Sequence, residues 1–79
     1  MAMSPAEAFG QAVRETRLKL DLSQEAAALH GDIDRGFLGH VERGTKTPTL
    51  NTVWRVAEAL EVKPARLVAR AERILARGN

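Results

Sequence analysis

Apolar residues recur along this chain at intervals of three and four, and nowhere alternate with polar residues over a strand's length. The pattern predicts helices alone, broken at turn-forming residues into five segments. The first runs from Pro5, which follows a capping Ser4, to about Leu20, with Phe9, Val13, Thr16 and Leu20 at helical spacing. The second opens after Ser23 and ends near His30 and Gly31, where glycine suits the left-handed position beyond a helix. The third begins after Asp34 and stops at Gly44. The fourth begins near Thr49 with Leu50, Val53, Val56, Ala57 and Leu60 on one stripe. The fifth opens at Pro64 and carries Leu67, Val68, Ala71, Ile74 and Leu75. Together these predict an all-α, compact five-helix domain over residues 1–79, without internal repeat or linker.

Only Gly31 to Ile33 separate the second and third segments. Two short helices joined so tightly suit a helix-turn-helix, here about residues 23–44, an arrangement that puts its second helix in the DNA major groove, although many small helical bundles contain such pairs as well. That second helix contains Gly36 and Gly39, each costing about 0.5–1 kcal/mol relative to alanine in a helix interior. The spacing puts both glycines, with Arg35 and His40, on the side away from Leu38 and Val41.

Composition narrows the picture. The chain has 79 residues and no cysteine, so neither disulfides nor thiolate metal sites supplement its core. No apolar run approaches the roughly 20 residues of a membrane span. The start, MAMSPAEAFG, lacks the basic and apolar regions of a signal peptide, and a cytoplasmic location is expected. Twelve Lys and Arg against ten Asp and Glu give a formal charge of only +2, but the charge is zoned. Residues 35–48 hold Arg35, Arg43 and Lys46 against Glu42, which suits a polyanion met along one surface. Residues 63–79 hold Lys63, Arg66, Arg70, Arg73 and Arg77 against Glu72, and a solvated helix face accounts for these.

Four stretches carry a family resemblance: SQEAAA at 23–28, IDRGFLGHVERG at 33–44, TKTPTL at 45–50 and VAEALEV at 56–62. From Phe9 to about Val68 the chain resembles the lambda-repressor-like, or XRE, helix-turn-helix family. The resemblance implies sequence-specific binding of double-stranded DNA. Base contacts fall to Arg35, Gly36, Gly39 and His40, since recognition helices meet base edges with their N-terminal end and arginine pairs with guanine O6 and N7. The glycines would let the helix lie deep in the groove. Phosphate contacts fall to Ser23 and Gln24 at the second helix's N-terminus and to Arg43, Thr45, Lys46 and Thr47 after the third. Arg17 and Glu42 form an internal ion pair in this family. Asp32 stands where the family often has glycine, so the turn's left-handed residue can shift by one.

One such domain offers a single short helix to DNA, too little for a specific affinity in the nanomolar range. A homodimer on a palindromic operator, its recognition helices about 34 Å apart, supplies the second. The dimer surface expected is the fifth helix, about 64–76, through Leu67, Val68, Ala71, Ile74 and Leu75. Trp54 either joins that surface or belongs to the core. LDLSQEA followed by DRGFLGHVERG is similar to the controller proteins of restriction–modification systems, dimeric autoregulators that activate and then repress transcription; RNA polymerase is the further partner such activation implies. Phage-type repressors share the domain. An antitoxin that also grips a toxin is the rival from another class, and would need a partner-binding segment where Ala76 to Asn79 offer a short tail. An enzyme is disfavoured: His30, Asp32, Asp34 and His40 are the clustered candidates, and Asp34 already serves as a cap. No metal and no cofactor is expected.

Overall fold

The computed structural model describes residues 3–78. Five helices follow one another: α1 Pro5–Lys19, α2 Gln24–Gly31, α3 Arg35–Arg43, α4 Leu50–Ala59 and α5 Pro64–Gly78. No strand occurs among the described residues. All five expected helices are present, each within a residue or two of its expected ends.

Their boundaries follow from local chemistry. Ser4, Ser23, Asp34 and Thr49 each turn a side-chain oxygen onto the amide three residues ahead, at 2.9 to 3.1 Å. Ser4 goes further: its own amide donates to Glu7 Oε1 at 2.8 Å, completing a capping box. The first four helices all end alike. One left-handed residue is followed by an amide that reaches back five positions, from Leu22 to Arg17, Ile33 to Ala28, Thr45 to His40 and Val62 to Ala57. Those left-handed residues are Asp21, Asp32, Gly44 and Glu61. The expected Gly31 is instead the last residue of α2, and Asp32 takes the left-handed turn with φ of 53°. Aspartate tolerates that region better than most residues. Leu22, Ile33 and Val62, which follow three of these turns, fold back against the core.

The core is built from Phe9, Val13, Ala27, Ala28, Leu38, Val41, Val53, Val56, Ala57, Leu60 and Leu67. α1 crosses α3 at Gly10, where any Cβ would stand 2.7 Å from the Glu42 carbonyl oxygen and closer still to that of Val41. Only glycine permits that approach. Two apolar expectations fail. Leu50 is 75% exposed and Leu20 is 46% exposed, because both sit at helix ends that overhang the packed layer.

Candidate nucleic-acid interface

Three elements meet around α3. Arg17 of α1 is buried and turns its guanidinium onto Glu42, with Nε to Oε2 at 2.7 Å and Nη2 to Oε1 at 3.0 Å. Its third donor, Nη1, meets the Leu22 carbonyl at 2.8 Å. The Glu42 carboxylate holds the Arg17 guanidinium above its usual pKa range. Glu42 Oε1 also accepts from Gln24 Nε2 at 3.0 Å. One buried carboxylate therefore ties the end of α1 and the start of α2 to the end of α3. Arg55 adds a link that the sequence did not signal, donating from Nη2 to the Asp32 carbonyl at 2.8 Å and bracing the turn between α2 and α3.

That bracing leaves one side of α3 facing solvent. Arg35, Gly36, His40 and Arg43 are exposed on it, while Leu38, Val41 and Glu42 point inward. Gly39 departs from expectation: it is buried, because the Arg43 guanidinium lies back over it, 3.1 Å from where a Cβ would stand. Gly36 is open apart from the Asp34 carboxylate at 3.1 Å. The two glycines therefore differ in role. The first leaves the helix surface bare, and the second makes room for an arginine of the same helix.

His40 is joined to the next loop. Thr45 Oγ lies 2.9 Å from His40 Nδ1 and donates to the His40 carbonyl at 3.2 Å. This contact engages Nδ1 and leaves Nε2 without a partner among the described residues. Thr45, Lys46 and Thr47 are exposed beside it. Ser23 Oγ is occupied by the Ala26 amide. Of the proposed phosphate-binding groups, then, the Ser23 and Gln24 side chains are already engaged within the protein, whereas those of Lys46 and Thr47 are not.

A scan against family models matches residues 13–67 to the helix-turn-helix model. The chain belongs to the helix-turn-helix family. Control protein C.BamHI of Bacillus amyloliquefaciens is 39% identical over 61 residues, spanning 76% of this chain and 75% of that one. Among solved structures, the restriction-modification controller protein C.AhdI from Aeromonas hydrophila is 39% identical, with a TM-score of 0.75 over 78% of this chain and 94% of that one. The clp gene regulator ClgR from Corynebacterium glutamicum is 25% identical, with a TM-score of 0.89 over 98% of this chain and 82% of that one. These relatives are a control protein, a controller protein and a gene regulator, and the chain shares its family with the first two.

The expected dimer surface needs correction. Leu67 and Ile74 are 1% and 2% exposed, since α5 packs along α1 and uses them to close the protomer's own core. Ala71 and Leu75 are half-buried against the same clusters. Val68 at 45% and Trp54 at 60% remain outside, so Trp54 is not a core residue. His30 stands 2.8 Å from Glu61 rather than beside Asp34 or His40.

Proposed function

We propose that this protein binds double-stranded DNA as a symmetric homodimer on a palindromic operator and regulates transcription in the manner of a restriction–modification controller. The observation that carries this reading is the braced, exposed side of α3. Arg35 leads it at the N-terminal end, Gly36 leaves its middle bare, and the Thr45–Thr47 loop lies alongside. Arg35 reads a guanine, Gly36 lets the helix approach the base edges, and His40 and Arg43 extend the same face. Lys46, Thr45 and Thr47 meet the phosphate backbone, and the N-terminus of α2 at Ser23 and Gln24 takes a second phosphate.

The second copy would meet Trp54, Val68 and the rim of Leu75. Val68 and Leu75 line a shallow, largely apolar groove of about 300 Å³ together with Pro5, Phe9, Thr47, Pro48 and Val53. Leu50, exposed four residues before Trp54, extends this apolar surface along α4. A dimer would hide that surface and present two recognition helices to one side of the duplex. Autoregulation and contact with RNA polymerase follow from the controller reading. Among the described residues no helix is long and apolar enough to cross a membrane.

Sedimentation velocity with and without short duplexes at low ionic strength tests the reading. A dimer that shifts to a dimer–duplex species is expected. A chain that stays monomeric at high concentration and ignores every duplex would refute it.

A further inference from the structure

The four arginines of α5 stand at positions 66, 70, 73 and 77. At 3.6 residues per turn they fall on one stripe about 60° wide. Facing them from α1 is Glu15, which lies 3.1 Å from Arg70 Nη1 and 3.6 Å from Arg77 Nη2. Glu15 is also held by Gln11 Nε2 at 3.0 Å, so each of its two oxygens already accepts a hydrogen bond. Arg66, Arg73 and Lys19 have no carboxylate partner among the described residues. With Arg70 they line a cleft of about 260 Å³ between α1 and α5, completed by Thr16, Leu20, Val62 and Leu67. No acidic residue lines it, and no lining residue belongs to α2, α3 or the Thr45–Thr47 loop.

We propose that this cleft binds a small polyphosphate anion, either pyrophosphate or the phosphate chain of a nucleoside di- or triphosphate. Three uncompensated cations around so small a space make a strongly positive potential, and guanidinium groups bond phosphate oxygens in pairs. Arg66 and Arg73, seven residues apart on one helix, stand about 10 Å apart along its axis and flank Arg70. A chain of two or three linked phosphates can reach from one towards the other. The apolar wall of Leu20 and Val62 gives a nucleoside a surface to lie against. The cleft stands apart from α2, α3 and the Thr45–Thr47 loop, which favours the small anion over the duplex. This site is independent of the DNA-binding reading above.

Thermal unfolding and titration calorimetry with pyrophosphate and with ATP, at low ionic strength, test it on the full chain. At about five times its dissociation constant, pyrophosphate is expected to raise the melting temperature by about 4–8 °C. The Arg66→Gln/Arg73→Gln double variant should lose at least tenfold in affinity, and Arg35→Ala should lose none. Both α5 positions are exposed, and Lys19→Gln repeats the test with a single change should the double variant unfold. No shift with either anion would overturn the proposal, as would an equal shift in the α5 variant. A shift abolished by Arg35→Ala would place the anion on the recognition surface and overturn it too. So would weakened duplex binding by the α5 variant with no pyrophosphate response, which would mark the stripe as a backbone contact.

Discussion

Removing the Glu42 carboxylate should do more damage than any other single polar change in this molecule. The Arg17 side chain is 8% exposed and that of Glu42 is 2% exposed, so neither charge is served by bulk water. In Glu42→Ala, Arg17 loses two acceptors, at 2.7 and 3.0 Å, and keeps only the Leu22 carbonyl. Gln24 loses its acceptor as well. Stranding one member of a buried pair typically costs about 3–5 kcal/mol. A domain of 79 residues is stable by only about 4–12 kcal/mol in total, so the variant should lose a quarter of its stability or more. Replacing both partners separates pairing from mere polarity. Arg17→Met/Glu42→Leu fills the space with apolar atoms and should recover most of the loss, because desolvation cancels much of the pair's Coulomb gain. Urea unfolding of the wild type, Arg17→Met, Glu42→Leu and the double variant closes the cycle, with Glu42→Ala measured beside it. A Glu42→Ala cost under about 1 kcal/mol, or a coupling near zero, would refute the claim that this carboxylate holds α1, α2 and α3 in register.

The two glycines of α3 should respond differently on DNA. Gly36→Ala should weaken DNA binding, whereas Gly39→Ala should only push the exposed Arg43 guanidinium aside by a few tenths of an ångström and keep or slightly raise the melting temperature, read by calorimetry beside fluorescence anisotropy. Lys46→Ala should weaken all duplexes alike and reduce the slope of log affinity against log salt by about 1, so a loss confined to one sequence would contradict a backbone role. Gly10→Ala should cost about 1–3 kcal/mol or more by driving α1 off α3, a change visible as a drop in the urea midpoint. Glu7 is held below the usual carboxylate value of 4.5 first by the Ser4 amide, and Glu15 first by Gln11, with Arg70 and Arg77 assisting. Groups with lowered values stabilise the fold above that ordinary value and lose the contribution as pH falls through the lowered one. Glu7→Gln and Glu15→Gln should therefore flatten the fall in melting temperature below about pH 4.5 relative to wild type.

The helices were legible because their signals are local. Ser23, Asp34 and Thr49 announce starts, and apolar spacing gives each buried face. Ends were less legible, since Asp32 and Glu61 adopt a left-handed conformation in which sequence reasoning looks for glycine. Placing Arg35, Gly36 and the exposed loop on one surface needed only helical periodicity and the resemblance. Two features needed tertiary contact: α3 passes over Gly10, and Arg55 reaches a carbonyl 23 positions away. The Arg43 guanidinium over Gly39 is a contact four residues apart within α3, whose side-chain direction the spacing alone did not give. Surplus apolar residues on α5 also misled: Leu67 and Ile74 face α1 within the protomer, and periodicity cannot tell an intramolecular neighbour from a second copy.

The central claim is that two copies of α3 read one duplex across a twofold axis. Selecting bound duplexes from a random pool, then sequencing them, measures this directly. The account predicts a motif with twofold symmetry, its half-sites centred about one helical turn apart, and a guanine in each half whose preference disappears in Arg35→Ala. Enrichment of no sequence, or of a single unsymmetrical site indifferent to Arg35, would contradict it.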